Sequence, residues 1–122
     1  MPLYESIFIV RPDVSSHDVD KIIDGFVETI KNNNGKVVKH EYWGMLNMAY
    51  EINNNRKGHY IFLGLDAPVE AIKQMEYRMK YNPDLLRFNT FRVEAIDSEP
   101  SPILRGKTSE AEEVVDVTVT QE

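Results

Sequence analysis

The 122 residues predict an α+β fold of order β-α-β-β-α-β, and three observations predict it. Two amphipathic helical stretches alternate with extended ones. The two middle extended stretches meet at an asparagine-rich turn, and the connections are short. A turn of that kind makes its strands antiparallel, and two helical crossovers then put both helices on one face of a four-stranded antiparallel sheet.

Residues 4–10 read as a strand, rich in β-branched and aromatic side chains. Arg11-Pro12-Asp13 ends it, because proline has no N–H to give a ladder. Ser15 with Asp18 resembles a capping box. Val19, Ile22, Ile23, Phe26, Val27 and Ile30 then recur at three- and four-residue intervals, the period of an amphipathic helix. Asn33-Asn34-Gly35 closes it, with Gly35 the expected left-handed cap. Residues 36–52 are one long extended stretch, in which Gly44 marks a bulge or kink. Residues 53–58 read as the hairpin loop and residues 59–65 as the returning strand. Pro68 lies near the first turn of a second helix, whose apolar stripe is Val69, Ile72, Met75 and Met79. Tyr81-Asn82-Pro83-Asp84 breaks it, and residues 86–95 form the last strand. The expected architecture is ferredoxin-like.

Residues 1–97 form one expected domain, a length that needs no covalent staple. The absence of cysteine excludes a disulfide scaffold, a thiolate zinc site and a cysteine nucleophile. The longest apolar run, residues 7–10, is far short of the ~20 residues of a membrane span. No signal peptide is legible, which makes a cytosolic or organelle-matrix protein the default, and of the two a cytoplasmic location is expected. Charge is uneven: residues 1–97 carry 12 basic and 14 acidic side chains, and residues 98–122 carry 2 and 6. The second stretch, with Pro100 and Pro102 and no core periodicity, reads as an acidic tail, extended or disordered. Its alternating residues 115–120 have the pattern of a strand that would need another element to pair with, and a mobile terminus is the favoured expectation of the two.

The first strand is apolar on both sides, with Tyr4, Phe8 and Val10 facing one way and Leu3, Ile7 and Ile9 the other. Tyr60 and Phe62 likewise oppose Ile61, Leu63 and Leu65. A strand apolar on both faces predicts two covered faces, the second under a protein or RNA partner.

No phosphate loop, dinucleotide fingerprint, zinc-helix motif or nucleophile elbow is present, and no pair of residues suits general acid–base work. His17, His40 and His59 lack metal-ligand spacing; Asp20, Asp24 and Glu28 lie opposite the apolar stripe as a solvated face. Neither an enzyme, a metal nor a cofactor is expected. Lys57-Gly58-His59-Tyr60-Ile61-Phe62-Leu63 occupies the place of an RNA-recognition motif but lacks its aromatic pattern. Basic residues do gather around Lys36, Lys39 and His40, around Arg56, Lys57 and His59, and at Arg87 and Arg92. Tyr42, Trp43, Tyr50 and Tyr60 are interleaved, a mixture suited to phosphate contacts with stacking.

The stretch Lys36-Val37-Val38-Lys39-His40-Glu41-Tyr42-Trp43-Gly44, then Met48-Ala49-Tyr50-Glu51-Ile52 and Arg56-Lys57-Gly58-His59-Tyr60, resembles the bacterial small-subunit ribosomal protein S-six family. Tyr4-Glu5 and Arg87-Phe88 match it too, so the resemblance covers about residues 2–97. It implies a ferredoxin-like, non-enzymatic protein that binds the central domain of small-subunit ribosomal RNA. The partner it implies is the small basic ribosomal protein S-eighteen, whose charge would offset the acidic balance. The resemblance makes Lys39, Tyr50, Arg56, Lys57, Arg87 and Arg92 candidates for RNA contact. Leu3, Ile7, Ile9, Ile103 and Leu104 become candidates for the protein partner. Relatives often carry basic residues where this chain has Leu46, Glu51 and Asn54. The rival expectation is a ferredoxin-like regulatory module binding a small metabolite, although residues 11–16 lack the glycine such a ligand loop needs.

Overall fold

Strand alternation and helical periodicity set the layers. In the computed structural model, which describes residues 2–101, the elements are β1 (Leu3–Val10), α1 (Ser16–Asn32), β2 (Lys36–Ile52), β3 (Asn55–Asp66), α2 (Val69–Lys80) and β4 (Leu85–Val93). All neighbouring strands are antiparallel, in the order β2-β3-β1-β4. This is the expected ferredoxin-like topology.

One side of the sheet is buried by the helices. Phe8 and Val10 of β1 and Ile61, Leu63 and Leu65 of β3 meet Val19, Ile23, Phe26 and Ile30 of α1 and Ala71, Ile72, Met75 and Met79 of α2. Phe8 and Phe26 pack edge to face with centroids 5.3 Å apart. Ser15 caps α1 as expected, its side chain accepting the Asp18 N–H at 3.2 Å. The other end corrects the expectation: Asn34, with φ 68°, takes the left-handed position instead of Gly35. Gly35 is required for space, because a Cβ there would lie 2.5 Å from Ala67 Cβ.

The hairpin loop is shorter than expected. Asn53 and Asn54, with φ 50° and 67°, form a two-residue turn of the primed kind that matches strand twist. Ile52 therefore pairs with Asn55, and residues 55–58, expected in the loop, belong to β3. Gly44 does mark a bulge, with φ 102° and a register shift between Tyr42 and Gly44. Two further shifts, between Val37 and Lys39 and between Asn47 and Ile52, bend the same strand.

A second apolar cluster lies on the open side: Ile7, Ile9, Trp43, Leu46, Met48, Tyr60 and Phe62, with Ile52 and Leu86 against it. The cover expected from a partner is thus supplied in large part by the curled β2–β3 hairpin. Gly58 permits the close approach beneath it, since a Cβ there would lie 2.4 Å from Ile9 Cγ2 and 3.0 Å from the Val10 carbonyl oxygen. Gly25, mid-helix in α1, has nothing within 4 Å of where its Cβ would sit. Urea unfolding should show Gly58→Ala losing about 1–3 kcal/mol by overpacking. Gly25→Ala should gain about 0.5–1 kcal/mol by stiffening the unfolded chain.

Candidate nucleic-acid and partner interface

Register carries each open-side residue to its place. One row across the sheet is Lys39, Gly64, Glu5 and Phe91; the next is Glu41, Phe62, Ile7 and Asn89; a third is Gly44, Tyr60, Ile9 and Arg87. Lys39 and Arg87 therefore lie at opposite ends of the face.

At the hairpin end, Tyr50 of β2 meets Arg87 of β4, although β3 and β1 lie between their strands. Three strand spacings are ~14 Å, so this contact requires the bulged hairpin to curl over the face. The Arg87 guanidinium sits 5.7 Å from the Tyr50 ring centroid and donates to its hydroxyl. Both side chains stay exposed, Tyr50 at 54 %. Arg56, near the hairpin tip, is exposed and pairs loosely with Glu51 at 3.4 Å. A flat ring beside a guanidinium offers a stacking surface and a phosphate donor together.

The opposite end is closed by the chain itself. Residues 94–101 pass from β4 across the open side to β2. Lys39 Nζ donates to the carbonyls of Asp97 and Glu99, each at 2.6 Å, lies 3.7 Å from Glu41 Oε2 and sits 5.6 Å from the Phe62 centroid. Glu41 accepts from Trp43 Nε1 at 2.9 Å and from the Ser101 N–H at 3.1 Å, and Trp43 stacks on Phe62. Ile96 lies over Gly64, where a Cβ would approach it to 3.2 Å.

The six candidate RNA residues divide between the two sides. Lys39, Tyr50, Arg56 and Arg87 are on the open side. Lys57 and Arg92, both exposed, fall on the helix side by alternation, Arg92 opposite Tyr4. Arg87 and Arg92 are thus separated by the sheet and by five residues of strand. His59 is 4 % exposed, bonded to the Tyr42 hydroxyl and the Val14 carbonyl, so it does not join the basic surface. Of the partner candidates, Ile7 and Ile9 are each 2 % exposed beneath the hairpin, and Leu3 is half-buried. Ile103 and Leu104, like residues 115–120, lie outside the described residues. Leu46 is buried in the second cluster, Glu51 faces Arg56, and Asn54 forms the turn, so each of these replacements has a local structural role.

Reading the sequence missed the contacts of Ile96, Glu41 and Ser101. Gly64, between Leu63 and Leu65 inside a strand, was the available signal, since a strand glycine marks close approach. No cluster of three or more metal-ligating side chains occurs among the described residues.

Burial pushes the Glu41 carboxyl up, but hydrogen bonds from Ser101 and Trp43 and the Lys39 charge outweigh it and hold the group below its usual range. Such a group stabilises the fold above the carboxylate range and loses that contribution as pH falls through its depressed value. Glu5 is the reverse case: burial raises it, Lys39 opposes, and Glu41 adds to the rise. It costs stability at neutral pH and is relieved by protonation. Thermal unfolding should show Glu41→Gln below the unaltered chain at pH 7, with the gap narrowing only as pH falls below the ordinary carboxylate range, through the depressed value of Glu41. Glu5→Gln should lie above it at pH 7 and coincide with it at the acid end.

The family model for ribosomal protein S6 matches residues 3–92. A small ribosomal subunit protein bS6 from Rickettsia rickettsii is 50 % identical over 119 residues, 98 % of each chain. Its counterpart from Rickettsia bellii is 51 % identical over 118 residues, 97 % of this chain and 98 % of that one. The crystal structure of 30S ribosomal protein S6 from Thermotoga maritima superposes with a TM-score of 0.72 at 28 % identity, covering 75 % of this chain and 87 % of that one. The C-terminal domain of the Mycobacterium tuberculosis MgtC protein shares the fold alone, at a TM-score of 0.57 and 11 % identity, over 81 % of this chain and 95 % of that one. With relatives this similar along nearly its whole length, the chain belongs to the ribosomal protein S6 family.

Proposed function

We propose that this protein is a structural constituent of the small ribosomal subunit that binds the central domain of small-subunit ribosomal RNA together with ribosomal protein S-eighteen. Membership of the family makes it a small-subunit ribosomal protein of the cytoplasm, and its work is architectural, without catalysis. The observation that carries the RNA contact is the exposed Arg87–Tyr50 pair, a cation held on an aromatic ring at the open end of the sheet. Arg56 extends that surface at the hairpin, and Lys57 and Arg92 would meet backbone phosphates from the helix side. A chain of net charge −6 gains from a basic partner that supplies part of the field RNA requires. Leu3 with Ile103 and Leu104 would touch that partner, while Ile7 and Ile9, buried beneath the hairpin, support the face from inside.

The test is binding of the purified chain to a central-domain RNA fragment, with and without S-eighteen, across a salt series. Binding that needs the partner and weakens as salt rises supports this reading. No binding in either case, beside an intact circular dichroism spectrum, overturns it. Within the complex, Tyr50→Ala should cost roughly 1–3 kcal/mol of affinity through lost stacking. Arg87→Ala should lower the log–log salt slope by about one.

A further inference from the structure

We propose that the groove between α1 and α2, on the outer side of the helix layer, is a second RNA surface. It takes a single-stranded stretch, with phosphate between Lys21 and Arg78 and bases against Tyr77 and Tyr81. That the RNA is ribosomal rests on the function proposed above; that the groove takes single-stranded nucleotides does not.

The groove has a volume of about 700 Å³, within the range of ligand sites. Ile22 and Phe26 form its floor, and Gly25 opens it further, with nothing within 4 Å of where its Cβ would sit. A glycine in mid-helix weakens the helix, and here no neighbour requires it. What the missing side chain preserves is the space of the groove.

The charges around it are sorted. Lys21 and Arg78 line the groove, and neither is ion-paired among the described residues. The acids of the same helices, Asp18, Asp20, Asp24 and Glu28 of α1 and Glu70 and Glu76 of α2, all lie outside the lining. In a chain of net charge −6, this leaves a cationic cleft complementary to phosphate.

The walls favour a nucleic acid over an acidic peptide. Tyr77 and Tyr81 are 64 % and 65 % exposed, their ring centroids lie 5.0 Å apart, and Lys80 Nζ sits 5.6 Å from the Tyr81 centroid. Open ring faces beside cations suit bases of any sequence, because every base has a π-face. An extended peptide needs backbone partners, and helical walls have spent theirs on their own hydrogen bonds. A helical peptide needs an apolar trough, which Lys21, Arg78, Gln74 and Asn82 interrupt.

Its place in the fold agrees. Asn82 and Pro83 line the groove at the C-terminal end of α2, and the chain passes from them into β4 and Arg87. The Asp84 carbonyl accepts the Arg11 N–H at 2.9 Å, which fixes this turn to the end of the sheet. The groove therefore opens beside the end that carries the Arg87–Tyr50 surface, and one RNA strand can pass round the turn between them.

Titration with hexauridylate at low salt, followed by amide NMR in an Arg87→Ala background that removes the cation of the other surface, tests this. Shifts should centre on Gly25, Tyr77 and Tyr81. Gly25→Gln fills the groove with a good helix former, so its melting temperature should rise while its affinity falls about tenfold. Tyr77→Ala should also cost about tenfold and Tyr77→Phe nothing, because stacking needs the ring and not the hydroxyl. Arg78→Gln should lower the log–log salt slope by about 0.7, the value of one phosphate contact on a single strand. Shifts that avoid the groove, or a Gly25→Gln chain that binds as well as its background, overturn the site. Displacement by hexaglutamate at the same concentration of charge makes it a site for an acidic protein and overturns the RNA assignment. In the complex with S-eighteen and central-domain RNA, weaker binding by Gly25→Gln supports the groove. If Arg87→Ala weakens that complex and Gly25→Gln does not, the groove is overturned as a ribosomal RNA surface and the proposed function stands. If no such complex forms, the proposed function falls, and the hexauridylate titration still decides the groove.

Discussion

The structure depends on one constraint: a four-stranded sheet that is apolar on both sides has to cover both, and two helices can cover only one. Phe8, Ile61 and Leu63 face α1 and α2, while Ile7, Ile9, Tyr60 and Phe62 face the other way and are equally shielded from water. Burial of apolar area contributes about 25 cal/mol per Å², so leaving such a row wet would forfeit several side chains' worth of stability. The chain answers with its own segments. The β2–β3 hairpin curls over one end, and residues 94–101 cross the other.

Both covers need local departures from regular geometry, and those departures are what place the charged groups. The shift at Gly44 puts Trp43 over Phe62, and the shift beyond Asn47 brings Tyr50 toward β4. A regular β2 would leave Tyr50 and Arg87 on well-separated strands. The missing side chain at Gly64 lets Ile96 descend, which carries the Asp97 and Glu99 carbonyls to Lys39. Packing and the charged sites are therefore one problem here, because the groups that shield the face also decide which cations remain available.

The sequence makes the element order, the Ser15 cap, the Gly44 bulge and the two-sided apolarity legible, because each depends on short-range periodicity or on one residue's backbone preference. Other features depend on contacts distant along the chain. Nothing near His59 says that Tyr42 and Val14 will bury it, and nothing near Lys39 says that residues 97 and 99 will occupy its ammonium. Arg87 and Arg92 look like one cluster in sequence, but their odd spacing of five puts them on opposite sides of a strand. The alternation rule contained that answer once β4 was taken as regular. The hairpin length was misread because Asn55, Arg56 and Lys57 are polar; paired beyond the end of β1, they can be strand residues without being buried.

The bulges in β2 also bear on the time before the chain reaches a ribosome. At 17 residues, β2 is a long edge strand, and its exposed Val38, Tyr42 and Met45 would make a regular version of it a template for strand addition between molecules. Register shifts at three points interrupt the even row of backbone donors and acceptors that such stacking requires, and Lys36 and His40 stand exposed along it. The distortion that curls the hairpin thus also guards the protein against sticking to its own copies while it awaits assembly.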